Sequence, residues 1–374
     1  MEETRVSVVG VGNGGIRIVD CLAGAGKPGV GTAAVNTDAR SLAASRATTK
    51  IQIGATLTRD LGAAGNAHTG RVAAQNDLQM IRNLFADMDL AFVVAGLGGG
   101  TGSGAAPVLL EAARDAGVMT LCFATLPFEF EGAQKREIAD EAVEELRAVS
   151  DALIVVPNDR LFETAGGAGL PEGFEKADRI LAAAARSVWR LVTQPGLITL
   201  DFADLQRIAQ QSGSLTMGFG EGRGKNRAAR AVEAVLQGPL LDEGRIVASA
   251  RALLVSIVGG EDLALKEVGE IMDAVKAAAG AEADVFMGTV VDAECRSRIT
   301  VTVIASEQWA AGPRAKKKGD AEPAGAKGGR RPQQIQLGFD AGGKGRFRDT
   351  EPTILNGEDL DTPTFIRRSI TIER

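Results

Sequence analysis

Histidine is almost missing from this chain of 374 residues: His68 stands alone. That argues against a Ser-His-Asp triad and excludes a His-rich metal site. Cysteine is scarce as well. Cys21, Cys122 and Cys295 are scattered without metal-ligand spacing, each inside an apolar segment. They read as buried thiols in a reducing compartment. No apolar run approaches the ~20 residues that a membrane span needs. Met1-Glu2-Glu3-Thr4-Arg5 leads straight into an apolar strand, so no signal peptide and a cytoplasmic location are expected. Charge is unevenly placed along the chain. The net charge is −6, yet residues 307–350 hold ten Lys/Arg against five Asp/Glu, leaving −11 on the remainder. An acidic body argues against a nucleic-acid partner. The basic stretch could meet an anionic surface only weakly.

What the chain does have is glycine, concentrated in Gly96-Leu97-Gly98-Gly99-Gly100-Thr101-Gly102-Ser103-Gly104. Before it, Leu90–Ala95 reads as a fully buried parallel strand. After it, Ala105–Ala113 reads as a helix, with Pro107 in the first turn. The glycines therefore join a strand end to a helix N-terminus, where unpaired N–H groups and the helix dipole attract an anion. Without Cβ atoms the backbone can wrap closely around a phosphate chain, and Thr101 and Ser103 add hydroxyl donors.

Earlier in the chain, Val6–Val9 reads as a strand followed by Gly10-Val11-Gly12-Asn13-Gly14-Gly15 and a helix. This is a G-x-G-x-x-G between strand and helix, the setting of a dinucleotide fingerprint. Thr32–Val35 is the next strand and ends at Asn36-Thr37-Asp38, where a polar group could hold a ribose. An NAD(P)-dependent oxidoreductase using Gly10–Gly15 and Asp38 is therefore open on these residues. Val118–Ala124 and Ala152–Val156 are further strands, with a helix through Ile138, Ala142, Val143, Leu146 and Val149 between them. Such alternation predicts a parallel sheet with helices on both faces, and ligands bind outside the carboxyl ends of its strands. The Gly62–Ala67 loop and Pro127–Gly132 lie at the same rim.

Phe174–Val192 reads as one long helix with Ala177, Leu181, Ala184, Val188, Leu191 and Val192 inward; Asp178 near its start can complement the dipole. Asp201 reads as an N-cap and Asp204 as a first-turn acid. A second unit to Ser306 has strands at Ala252–Ile257, Asp284–Val290 and Arg298–Ile304, and helices at Asn226–Gln237 and Leu263–Ala279. The expected fold is α/β: a Rossmann-like parallel-sheet domain over 1–172, a long central helix over 173–195 and a smaller α+β domain over 196–306. A disordered basic linker follows over 307–350. Residues 351–374 form a docking peptide that folds on a partner.

Taken in order, these pieces resemble the FtsZ family of the tubulin superfamily of polymerising GTPases. The resemblance rests on Gly98–Gly104, Ala34–Asp38, Gln52-Ile53-Gly54, Gly62–Asn66, Pro127–Gly132, Val156–Asp159, Leu200–Asp204, Asn226–Ala229 and the terminal Leu360–Arg368. It implies that the first domain binds GTP or GDP with Mg2+, and that the C-terminal domain is GTPase-activating. The matching nucleotide positions are Gly12, Asn13, Gly14, Gly15, Ile16, Arg17, Asn36, Asp38, Ala63, Ala64, Gly65, Asn66, Gly98, Gly99, Gly100, Thr101 and Gly102. Glu131 and Lys135 match the ribose side, Phe174 packs by the base, and Asp178 accepts from guanine N–H groups. No metal-ligating side chain is assigned. Asp201 and Asp204 match catalytic groups that act on the GTP of the next subunit, so hydrolysis needs head-to-tail stacking. Leu360, Pro363, Phe365, Ile366 and Arg367 match a peptide that binds membrane-tethered division adaptors at a mid-cell ring. Arg17, Lys135 and Thr199 stand where Asn, Arg and Asn are usual, which points to a slow GTPase.

Overall fold

The computed structural model describes residues 5–23, 31–165, 169–193 and 215–306, together with 354–355 and 358–359. The chain forms two compact units, Met1–Ala311 and Gly312–Arg374. Within the first, the opening half alternates strands and helices: β1 (Val6–Val11), α1 (Gly12–Ala23), β2 (Gly31–Asn36), α2 (Ala39–Ala44), β3 (Thr49–Gln52), α3 (Ala55–Thr58), α4 (Ala67–Asn76) and α5 (Leu78–Phe85). Next come β4 (Leu90–Gly96), α6 (Gly100–Asp115), β5 (Met119–Leu126), α7 (Ala133–Val149), β6 (Ala152–Pro157), α8 (Asn158–Ala165) and α9 (Leu170–Thr193). The remainder holds β7 (Leu215–Arg223), α10 (Arg227–Leu236), α11 (Arg245–Ser249), β8 (Ala252–Gly259), α12 (Leu265–Ala278), β9 (Asp284–Val291) and β10 (Arg298–Ser306).

These strands form one sheet of order β3-β2-β1-β4-β5-β6-β7-β10-β8-β9. The first six are parallel and follow the doubly wound order 3-2-1-4-5-6. β7 joins β6 through the single pair Ile154–Leu215, then pairs antiparallel with β10, which pairs antiparallel with β8. The sheet therefore runs on through the boundary between the expected GTP-binding and C-terminal domains.

Period-two alternation decides the cores. Val8, Phe92, Phe123 and Ile154 face one side of the sheet, where Ile16, Val19, Leu181 and Val188 pack on them. Val9, Val93, Cys122 and Val155 face the other, under Ala105, Leu109, Val143 and Leu146. Both faces are covered, which is why these strands are apolar throughout. On α9, Ala177, Leu181, Ala184, Ala185 and Val188 make one helical stripe. That stripe shares a core with Leu215, Met217, Leu254 and Ile304, so the long helix binds both halves of the sheet. Among the described residues, no helix is long and apolar enough to cross a membrane.

The helix after the glycine run begins earlier than the sequence pattern predicts. It starts at Gly100, so Pro107 sits in its interior rather than its first turn. In the second unit the described residues are β11 (Ile354–Leu355) and β12 (Glu358–Asp359), paired antiparallel. The expected linker, 307–350, lies outside the described residues, as do Leu360, Pro363, Phe365, Ile366 and Arg367 of the expected docking peptide.

Candidate nucleotide-binding site

β1 and β4 are neighbours, but the strands that follow them lie on opposite sides, β2 beyond β1 and β5 beyond β4. Loops leaving such a pair diverge and open a crevice at the carboxyl ends. Here those ends are level, with Val11 opposite Ala95. α1 starts at once, at Gly12, and α6 starts at Gly100 after the short Leu97–Gly99 connection. The two first turns touch: a Cβ on Gly12 would sit 3.1 Å from the Gly102 nitrogen, and one on Gly14 would sit 3.2 Å from Gly96 Cα. Gly12 also has φ +70°, a conformation that L side chains rarely adopt.

Two helix N-termini therefore open on one pocket of about 360 Å³. Gly12, Asn13, Gly14, Asn36, Asp38, Ala63, Ala64, Gly65, Gly99, Gly100, Thr101, Gly102 and Lys135 line it. The family resemblance named all of these. Leu61, Gly62 and Gly96 complete the wall; Leu61, 72% exposed in a polar loop, carried no signal. The first-turn N–H groups of both helices and their dipoles give the pocket a positive floor suited to a phosphate chain.

Side chains brace this floor. Asn36 Nδ2 donates to Asn13 Oδ1 at 2.6 Å, tying the end of β2 to the start of α1. The Thr37 and Thr101 hydroxyls are 2.7 Å apart. Ser103 Oγ accepts from the Gly98 N–H at 2.9 Å, so it closes the glycine turn on itself. Asp38 caps α2, accepting from the Arg40 and Ser41 N–H groups. Asn66 caps α4 in the same way through the Thr69 N–H.

The glycines divide by role. Gly99 has no atom within 4 Å of its would-be Cβ, so it faces open space. A Cβ on Gly102 would run into the Gly96 carbonyl, and one on Gly15 into the Val94 carbonyl. Those two serve packing. Ile16 is likewise core, 2% exposed beneath the sheet face. Gly98 packs against Pro127 and the Lys135 backbone.

Beside the pocket, Lys135 Nζ pairs with Glu131 Oε2 at 2.7 Å, and the other Glu131 oxygen accepts from the Phe128 N–H. Phe128, Phe162 and Phe174 pack edge to face at 5.4–6.4 Å. Phe174 and Asp178 are one turn apart on α9, and Arg17 of α1 reaches both. Its Nε lies 3.0 Å from Asp178 Oδ2, and its Cζ lies 5.0 Å from the Phe174 centroid. Burial pushes the Asp178 carboxyl above the usual carboxylate range, while the Arg17 charge and hydrogen bond pull the other way.

Asp201 and Asp204 lie outside the described residues, as does Thr199. Among the described residues, no three His, Cys, Asp or Glu side chains gather as a metal site.

Comparison with known proteins bears on this pocket. A model for the GTPase domain of the Tubulin/FtsZ family matches residues 5–166, and one for the C-terminal domain of the FtsZ family matches 213–308. The cell division protein FtsZ of Pseudomonas putida is 36% identical over 363 residues, 97% of this chain and 88% of that protein. That of Bartonella bacilliformis is 41% identical over 303 residues, but the match spans only 51% of its length. Among solved structures, the FtsZ dimer of M. jannaschii superposes with a TM-score of 0.74 at 36% identity, over 82% of this chain and 88% of that one. CetZ2 of Haloferax volcanii, solved as a GTPγS-bound protofilament, gives 0.66 at 25% identity over 81% and 92%.

Proposed function

Because this chain belongs to the FtsZ family, the cell-division branch of the tubulin-like GTPases, we propose that its glycine-lined pocket binds GTP and that hydrolysis occurs where subunits stack head to tail. The observation that carries this reading is the convergence of the α1 and α6 N-termini on one pocket at the β1/β4 switch. Backbone N–H groups of Gly12–Gly14 and Gly99–Thr101 hold the phosphates. Asn36, Asp38 and the Ala63–Asn66 loop close the site, while Glu131 and Lys135 flank the ribose. Phe174 packs by the base and Asp178 reads its N–H edge. Mg2+, bound with the nucleotide, neutralises charge on the phosphate oxygens; no cluster of side chains is assigned to it.

Asp38, the carboxylate in the pocket lining, is engaged as the N-cap of α2. In this reading Asp201 and Asp204 of the neighbouring subunit polarise water at the terminal phosphate. A heterologous contact of this kind does not close, so it propagates as a filament. Catalysis is then positioning plus electrostatics, as for phosphoryl transfer generally. The CetZ2 structure, a protofilament with a GTP analogue bound, supports the link between nucleotide and assembly. Leu360–Arg367 recruits membrane-tethered adaptors to the division ring.

Equilibrium binding of GTP and of NAD, with electron microscopy under GTP and under GDP, tests this. Tight GTP binding, no NAD binding and GTP-dependent filaments are expected. NAD binding without GTP binding would overturn the reading, since the order 3-2-1-4-5-6 also suits dinucleotides.

A further inference from the structure

Arg17 is the one cation on α1, and it reaches both Asp178 and Phe174 of α9. The guanidinium forms a fork with Asp178: Nε to Oδ2 at 3.0 Å and Nη2 to Oδ1 at 3.5 Å. Its plane carbon lies 5.0 Å from the centre of the Phe174 ring. Guanine presents the same fragment on its own edge. Its ring N–H and exocyclic NH2 share one carbon, so they too form a planar two-donor fork for a carboxylate. Guanine also stacks on or packs against aromatic faces, as a guanidinium does. One side chain of this protein thus makes both contacts expected of the base.

We propose that Arg17 is an internal stand-in for guanine, locking the base subsite until nucleotide displaces it. The proposal rests on the reading of this pocket as a GTP site. Three observations support it. The pairing joins α1 to α9 across 161 residues of sequence, so it is a built contact between elements and not a local helix pair. Asp178 is only 13% exposed with Arg17 in place, whereas Arg17 is 52% exposed, so the cation can swing to solvent while the carboxylate stays. Arg17, Phe174 and Asp178 lie outside the lining of the phosphate pocket, so their contacts are separate from those of its floor.

The consequence is competitive. Every guanine nucleotide must break the Arg17–Asp178 pair to use Asp178, and its apparent affinity falls by the population of the locked form. A half-exposed ion pair with a ring contact sets that factor at roughly threefold to tenfold. A phosphate chain without a base incurs no such loss.

The test displaces a fluorescent GTP analogue with GTP and with inorganic tripolyphosphate, in the full chain and in its Arg17→Ala variant. The lock predicts that GTP binds the variant about threefold to tenfold more tightly, with tripolyphosphate unchanged. It also predicts that Asp178→Asn abolishes the gain in the double variant, because there is no longer a shared acceptor. Weaker or equal GTP binding by Arg17→Ala, with its thermal midpoint preserved, would overturn the lock, and weaker binding would make Arg17 a base-holding group. An equal gain for tripolyphosphate would overturn it as well, by showing a general charge effect. Failure of both proteins to bind GTP would instead remove the nucleotide reading and the lock with it; Arg17→Ala binding tripolyphosphate but not GTP would overturn the lock alone.

Discussion

Arg190 Nη2 lies 2.6 Å from Asp292 Oδ2, and both side chains are more than nine-tenths buried. Arg190 is on the long helix α9, and Asp292 directly follows β9 at the far edge of the sheet. The pair pins the helix to the edge of the sheet. Removing one partner leaves a buried charge uncompensated, so Asp292→Ala is expected to cost ~3–5 kcal/mol in urea unfolding. Arg190→Met combined with Asp292→Leu should recover most of that loss. A single variant within error of the parent would show that the pair is relaxed or solvated.

Gly99 and Gly102 are three residues apart and should respond oppositely to a methyl group. Gly99→Ala meets open space on the pocket side, so stability should change by no more than about 1 kcal/mol. GTP affinity should fall at least several-fold. Gly102→Ala drives a methyl into the Gly96 carbonyl, and should lower the thermal midpoint by an amount equivalent to roughly 1–3 kcal/mol. Calorimetry and nucleotide titration on both variants separate the roles.

Arg227, only 7% exposed, bridges Asp262 at 2.6 Å and Glu267 at 2.7 Å. Its hydrogen bonds hold the Glu267 carboxyl below its ordinary 4.5 and lower Asp262 likewise. A depressed carboxylate stabilises the fold above its ordinary value and loses that contribution as pH falls through the lower, folded one. Stability should therefore decline below about pH 4.5, and Glu267→Gln should flatten that part of the curve while lowering stability at neutral pH. Chemical denaturation between pH 3 and pH 7 measures both.

The C-terminal segment should separate from catalysis. Deleting residues 360–374 is expected to leave GTP turnover and assembly in place and to abolish adaptor binding in a pull-down. Loss of polymerisation itself would contradict the docking role.

Much of this architecture was legible because its signals are local. Leu90–Ala95 and Ala152–Val156 are unbroken apolar runs, and the strands fall there to within a residue. Thr49–Gln52 was not legible, since an edge strand with one buried side chain, Ile51, has no pattern. Nor was β7, where Gly218, Gly220 and Gly222 interrupt the apolar pattern of a strand. They are glycines because α10 and its flanks lie against the strand, where a Cβ on Gly220 or Gly222 would meet the Ala231 or Arg227 carbonyl. The same cause hid the start of α6: Gly100, Gly102 and Gly104 sit in the helix so that α4 and β4 can approach. At the site, the glycine loops could be found from spacing alone. The Arg17–Asp178 contact could not, because it depends on how two distant helices pack.

Catalysis shared between subunits makes turnover depend on assembly. Phosphate release per subunit should be measured against protein concentration, for the parent chain and for Asp204→Ala. Almost no release is expected below a threshold concentration, with a steep rise above it. Asp204→Ala should still bind GTP but lose most of its turnover at every concentration. A rate per subunit that is constant from dilute to concentrated protein, or an Asp204→Ala variant that loses GTP binding in step with turnover, would contradict shared catalysis.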